Sequence, residues 1–443
     1  MLKISRILHA GYVFESGATT IACDPLFENP FSRNCYAFPE VRFVHEEIKR
    51  LKFDAVFISH YHDDHCSMES LNYLDRSTPI YMFCLFEEMF TLIKQLGFTN
   101  VYPLTLNQAV TIGDITVTPR KALDEDVDSM FHVQAGGLNV LNVVDSWIDY
   151  DTVHTLGQYK WDLIMWPFQT MREVEVIAPK HANPAVLSLP PEWLEQLQEL
   201  RPKYLVPSSC QFRFEIWSWY NNAFFPISYK QFSTEIKENL PNTFVTPIMP
   251  GRTFVLSKDG FVESGKLSWV QASGEQNVDY EFKAGLIPPA TAEIARYFPA
   301  LSVEQMQRVM TFCQEEIISR HLELGASDDE YWQVPRRWKL SLYDSMGVAT
   351  EFNFLIDGDE MKPVVEINNP EWTTEVPFTR VYGALENGES LTSMYVRVND
   401  GVPPNAEIAE ANVVDDPLLR ALYNGAFGSY QKAQMRVIKK ELG

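Results

Sequence analysis

Read for alternation and periodicity, the first half of the chain is a series of short apolar runs parted by polar loops. Residues 3–24 hold two apolar segments separated by Glu15, Ser16, Gly17 and Ala18, the pattern of a β-hairpin, and the second segment ends at Asp24. Residues 25–45, with Pro25, Pro30 and Pro39 among Phe27, Phe31, Tyr36, Phe38 and Phe43, keep neither the helical nor the strand period. They read as a long loop whose aromatic content makes it a packed flap. The run 54–59, Asp-Ala-Val-Phe-Ile-Ser, is a buried strand. The spacing then predicts a short helix over 67–76, a strand over 80–83 and an amphipathic helix over 85–96, stopped by Gly97. Strands follow at 110–117, 130–135 and 138–145, the last two joined by Gly136 and Gly137, which accept the positive φ angles of a two-residue turn. A helix entered through Pro190 and Pro191, a strand at 203–207 and the aromatic run 216–226, read mainly as a core wall, complete this half.

A polar stretch at 271–279 and the pair Pro288-Pro289 mark a linker. At 443 residues the chain has room for two domains, since single cores seldom grow past about 250–300 residues. The expected division is 1–270 and 285–443. The second part reads as α+β: a long helix at 302–324, strands at 338–343, 351–356 and 363–367 with a turn at 357–359, a mixed segment at 379–391 and a last helix over 417–442. It holds no constellation of metal-ligating residues, and suits binding of an apolar or carrier-bound substrate, or pairing into a homodimer.

Charge and cysteine usage narrow the setting. With 37 basic against 59 acidic side chains the net charge is −22, which repels polyanions and excludes nucleic acid as a substrate. The acidity reads mainly as solubility, otherwise as a docking face for a basic partner. Six cysteines, Cys23, Cys35, Cys66, Cys84, Cys210 and Cys313, have no paired spacing, as expected for reduced thiols in a cytoplasm. Residues 1–8 lack the apolar core and cleavage site of a secretory signal, and no run approaches the length of a membrane span. The expected setting is therefore cytoplasmic, with no membrane partner.

The chemistry is concentrated at 59–66, Ser-His-Tyr-His-Asp-Asp-His-Cys. His60, His62 and His65 with Asp63 and Asp64 form an H-x-H-x-D-H pattern in a chain of only nine histidines. Imidazole and carboxylate are the ligands that divalent metals of intermediate softness take, and a short loop can turn several inward at once. Hung on the end of a buried strand, such a loop is a precise scaffold.

This spacing after such a strand resembles the metallo-β-lactamase superfamily, over roughly residues 1–260. The resemblance implies an αββα sandwich carrying two metal ions, followed here by the smaller α+β domain. It places His60 and His62 on one ion, Asp64 and His65 on the other, and Asp145 between them, with Asp64 and Asp145 as the catalytic carboxylates. Asp24 would support the loop by hydrogen bonds. His9, in a His-Ala pair shared with related branches, would line the substrate pocket or be structural.

Two departures from the superfamily pattern set the expected metal. The histidine before the hairpin at 130–145 is missing. His132 lies inside a strand, and alternation puts it on the face opposite Phe131 and Val133. The register of the sialic-acid-hydroxylase-like branch places Glu125 there instead, with Asp124 and Asp126 as its rivals. The late histidine after 203–207 is missing too; Cys210 could substitute, and Arg213 reads as an anion-binding, substrate-facing or salt-bridging group. A carboxylate in place of the first histidine and no late histidine resembles the diiron β-hydroxylase branch, which implies two iron ions (zinc or manganese as the alternative). The implied activity is hydroxylation of a small or carrier-linked substrate, the alternative being hydrolysis of an ester, lactone, thioester or phosphodiester. Oxygenation needs electrons, and the chain has neither a C-x-x-C pair nor a Rieske pattern. An external reductase or ferredoxin is the expected partner.

Overall fold

The structure, a computed structural model, describes residues 1–399 and 413–442. They form two compact units: one made of Met1–Thr170, Val186–Phe282 and the stretch from Gln434 onward, the other of Met171–Ala185 and Lys283–Ala433. This departs from the 1–270 and 285–443 division in two places. Ile177 and Ala178 bury with the second unit's core, and Met435 and Ile438 with the first unit's. Neither short segment has enough apolar surface to stand alone, so each follows the core that takes its side chains. No helix among the described residues is long and apolar enough to cross a membrane.

The first unit is an αββα sandwich. Its eight-stranded sheet runs, edge to edge, Phe261–Lys266, Arg252–Leu256, Leu2–Arg6, Tyr12–Ser16, Thr19–Cys23, Ala55–Ile58, Ile80–Met82 and Val101–Pro103. The seven-stranded sheet runs Phe244–Val245, Tyr204–Ser208, Leu163–Pro167, Leu138–Asn142, Ser129–Ala135, Ile115–Lys121 and Val110–Ile112. Alternation along the strands sends Phe14, Ile21, Phe57, Val117, Phe131, Val133 and Val140 into one core between the sheets. The opposite residues of the first sheet, such as Val13, Ala22, Val56 and Ile58, pack on the helices Met68–Asn72 and Glu87–Gln95 through Met68, Leu71, Met89, Phe90 and Ile93. The second sheet is covered likewise: Trp166 meets Trp193 of helix Pro191–Leu200 at 6.2 Å between rings.

Local chemistry explains where the elements stop. Gly136 and Gly137 turn at φ 56° and 75° between Ser129–Ala135 and Leu138–Asn142. The expected strand 110–117 is two, Val110–Ile112 and Ile115–Lys121, broken at Gly113. The first apolar segment likewise folds at His9–Gly11 into two strands, a turn that apolar periodicity hides. Gly11 is needed there because a Cβ would sit 2.7 Å from the carbonyl oxygen of Asp24.

The flap is a packed segment. Its residues Tyr36–Ala37 pair with Phe212–Arg213, and Val41–Phe43 pair with Val270–Ala272. At its root the Glu28 carboxylate accepts from the hydroxyls of Ser67 and, at 2.8 Å, Ser70. Burial pushes that carboxyl up to about 7 against these hydrogen bonds. A folded value above the unfolded carboxylate's about 4.3 means that stability is lost as pH rises from about 4.3 toward 7. Glu28→Gln, neutral at every pH, is expected to stabilise by about 1–3 kcal/mol at pH 8 and to be near neutral below about pH 4.5. Thermal melts at the two pH values check this; equal shifts at both would refute it.

The second unit carries a five-stranded sheet ordered Glu360–Pro363, Ala349–Asp357, Arg336–Tyr343, Trp372–Pro377 and Arg397–Val398. Val309, Phe312, Cys313 and Ile317 from the helical stretch 303–324 share its core with Trp338, Leu340, Leu342 and Trp372. Two expectations change here. The strand expected at 363–367 ends at Pro363, and the last helix is two, Pro417–Tyr423 and Ser429–Leu442, interrupted at Gly425 and Gly428; the strand Trp372–Pro377 is an addition to the expected elements.

Candidate metal centre

The candidate ligands and their support Asp24 sit where strands of the sandwich give way to loops. Asp24 follows strand Thr19–Cys23, His60 follows Ala55–Ile58, Asp128 precedes Ser129–Ala135 and Asp145 follows Leu138–Asn142. Asp24 is the organiser. One of its oxygens accepts from the Ser59 amide at 2.7 Å; the other accepts from the Ser59 hydroxyl at 2.6 Å and from His65 Nδ1 at 3.0 Å. The Ser59 hydroxyl, having donated its proton, accepts from His60 Nδ1 at 2.9 Å. Both rings therefore carry a proton on Nδ1 and turn Nε2 toward the same space, where it can serve as the ligating atom. Asp24→Ala is expected to cost about 10- to 100-fold in metal affinity while leaving the ligands in place, as removal of an outer hydrogen-bond partner does. Isothermal titration of the chelator-stripped variant measures it, and unchanged affinity would sink the assignment.

The side chains converge in two groups, each with ligand atoms within 4.8 Å of one another: His60, His62 and Asp128, and His9, Asp64, His65 and Asp145. Asp145 touches both. Its Oδ2 lies 3.0 Å from His65 Nε2 and its Oδ1 4.0 Å from His60 Nε2. His60 Nε2 lies 3.8 Å from Asp128 Oδ1, and His65 Nε2 lies 3.6 Å from Asp64 Oδ2. His60 Nε2, Asp128 Oδ1, Asp145 Oδ1 and both nitrogens of His9 are buried without a hydrogen-bond partner. Such atoms are costly unless something satisfies them, and a cation in each group would. The residues present thus fit a pair of metal ions.

The electrostatics agree. Burial, helped by His65 and His62, holds the His60 ring well below its usual value and so neutral, the form that ligates. Burial alone would lower His65, but Asp145 and Asp64 beside it raise it well above the ordinary range, so a proton stands there until a metal displaces it. Asp64 and Asp145, which burial would raise, are held low by His65. Asp63 and Asp128 are pushed up to about 6, by burial first and then by Asp64 and Asp145 respectively.

His60, His62, Asp64, His65 and Asp145 come together where the sequence pattern put them. Glu125 does not. Its side chain is 56% exposed and pairs with Lys121 at 3.1 Å, and Asp124 and Asp126 are exposed beside it. Asp128 takes that place, with Ser146 Oγ donating to its Oδ2 at 3.3 Å and Ser129 Oγ tying the loop to the carbonyl of Ser59 at 2.8 Å. The signal that could have found it is its place directly before a strand. His132 is on the outer face, as alternation requires. Its ring packs on Trp161 at 4.6 Å, accepts from Arg120 at Nδ1 and donates to Asn139 from Nε2. Arg213 lies outside both groups, 3.8 Å from Glu40 on the flap. The Cys210 thiol is outside them too, and burial followed by the Asp145 charge pushes it up, away from thiolate. His9, expected to line a substrate pocket, is inside the second group.

Residues 3–209 match the Beta-lactamase superfamily domain. Among curated proteins nothing matches the sequence. Similar solved structures include the metallo hydrolase Igni18 from Ignicoccus hospitalis, at 17% identity and a TM-score of 0.38 over 57% of this chain and 97% of that one. They also include CmlA, a diiron β-hydroxylase from Streptomyces venezuelae, at 16% identity and a TM-score of 0.34 over 46% of this chain and 44% of that one. An isothiocyanate hydrolase from Delia radicum gut bacteria is similar at 14% identity and a TM-score of 0.39 over 57% and 98%. These overlaps are loose.

Proposed function

We propose, from the premise that residues 3–209 are a metallo-β-lactamase superfamily domain, that this protein is a dinuclear iron enzyme that hydroxylates a small or carrier-linked substrate. The observation that carries this reading is the set His60, His62 and Asp128, two imidazoles and one carboxylate, which is the ligand chemistry that suits iron with open positions. Asp145, of the second group, also approaches His60, and that group adds the Asp64 carboxylate, so both groups mix imidazole with carboxylate, a combination that iron takes.

An iron pair supplies the binding and two-electron reduction of dioxygen. The chain's own residues do the rest. Asp145, with one oxygen toward each group, would hold both ions and fix their separation. Asp24 keeps the His60 and His65 lone pairs aimed at them. His62 is exposed, so the group with Asp128 is the side open to an incoming substrate, while Phe31 and Phe212 wall the other side around His9. Electrons come from an external reductase or ferredoxin in this reading.

The test is the metal content and colour of protein purified without added metal. An iron-to-chain ratio near two, a near-ultraviolet band of paired ferric ions and substrate-dependent oxygen uptake under reduction are expected. Two zinc ions, no chromophore and turnover of an ester or lactone would overturn the oxidative assignment in favour of hydrolysis.

A further inference from the structure

We propose that His9 is a ligand of the more buried metal ion, joining Asp64, His65 and Asp145, rather than a group that meets substrate; this rests on the dinuclear reading above. Three observations carry it. First, the ring is 1% exposed, and neither of its nitrogens has a hydrogen-bond partner. Nε2 lies 2.9 Å from Asp64 Oδ2 but out of line for a hydrogen bond, so this nitrogen stays unsatisfied. A buried imidazole with no partner is costly, and a cation seated among these four side chains removes that cost.

Second, the backbone is built to hold this ring in place. His9 has φ 49°, a left-handed conformation that a residue with a side chain keeps only where its surroundings impose it. Hydrogen bonds from the Ile7 amide to the Gly11 carbonyl and from the Gly11 amide to the Leu8 carbonyl, both 2.8 Å, close the turn. Arg6, fully buried, donates from Nε and Nη2 to the His9 carbonyl at 2.9 and 2.6 Å, and from Nη1 to the carbonyls of Pro207 and Ile248 at 3.1 and 3.2 Å. A buried guanidinium that bonds only carbonyls here acts as a clamp: it fixes the His9 carbonyl against the strand end at Pro207.

Third, the ring has no freedom to follow a substrate. It is wedged among Phe31 at 5.4 Å, Phe212 at 5.7 Å and, edge-on, His65 at 5.1 Å. A substrate-binding histidine needs a face or nitrogen open to a mobile ligand, whereas this one opens only toward the carboxylates. The more buried ion would then have two imidazoles and two carboxylates, matching the other ion in ligand type, with Asp145 counted for both.

The test uses chelator-stripped full-length protein titrated with Co²⁺, followed by ion count, affinity and visible ligand-field spectrum. The unaltered protein is compared with His9→Ala and with His9→Asn, whose side chain tolerates the left-handed backbone. Circular dichroism establishes that each is folded, and His9→Asn carries the test if His9→Ala is not. The unaltered protein is expected to take up two ions. The variants should hold one of them at least about tenfold more weakly, since loss of even an outer partner of a ligand costs that much. The visible band should shift, and added imidazole should restore it in His9→Ala, which a packing defect alone would not allow. Two ions bound by a folded variant with unchanged affinity and spectrum would overturn the ligand role alone. Fewer than two ions in the unaltered protein would overturn the dinuclear reading, and this inference with it.

Discussion

Replacing Asp145 by Ala is expected to empty both halves of the metal centre and abolish turnover. Asp145 faces both groups: it offers Oδ2 to His65 Nε2 at 3.0 Å and Oδ1 toward His60 Nε2 at 4.0 Å. Losing it removes one anionic ligand from each ion and the element that sets their spacing. Residues that act as such a unit cost about as much singly as together, so a loss of about 10³-fold or more in turnover is expected. Elemental analysis should fall from near two ions per chain to near none, with at most one held loosely by His60, His62 and Asp128. Retention of two ions would refute the bridge.

The same variant has a stability signature in metal-free protein. Asp145 raises the folded value of His65, a contribution fully present below the unfolded imidazole's about 6.5 and lost as pH rises through the folded value. His65 in turn lowers Asp145, a contribution present above the unfolded carboxylate's about 3.9. Stripped Asp145→Ala should therefore lag stripped unaltered protein most between about pH 4 and 6.5, and the gap should narrow above that. Asp64, 3.6 Å from His65 Nε2, retains part of the pairing and keeps the gap from being larger.

The second large effect separates Asp128 from Glu125. Asp128→Ala is expected to lose one of the two ions and most activity, whereas Glu125→Ala keeps both ions and full activity. Asp128 has a side chain only 19% exposed, an unpartnered Oδ1 beside His60, and a hydroxyl from Ser146 fixing its other oxygen. Glu125 points into solvent and pairs with Lys121, an exposed contact of little consequence. In Asp128→Ala the first group is left with two neutral imidazoles and a share of Asp145, too little negative charge to hold a dication tightly. Metal content of the two variants side by side checks this. Loss in Glu125→Ala with full occupancy in Asp128→Ala would restore the sequence-based assignment.

Why the sequence names one residue and the structure another is a matter of register. The loop 124–128 offers four carboxylates in five positions, Asp124, Glu125, Asp126 and Asp128, and chemical type does not choose among them. What chooses is where strand Ser129–Ala135 begins and which way its first residue is pinned, through the Ser129 hydroxyl on the Ser59 carbonyl seventy residues away. That is a non-local contact, invisible to a window of sequence.

The sequence by itself determined whatever depends on short-range geometry. His60, His62, Asp64 and His65 share one loop on one strand end, so their convergence follows from spacing. Asp24 and Asp145 end apolar runs, and the outward face of His132 follows from strand alternation. Only the tertiary structure decided the rest. His9 reaches the second group because an apolar run folds at a left-handed turn clamped by Arg6, and Asp128 reaches the first because two sheets meet there. The segment 171–185 and the stretch from Gln434 onward leave their sequence neighbours for whichever core buries Ile177 or Met435. Burial is decided by all the surfaces available at once, and a linear pattern records only one of them.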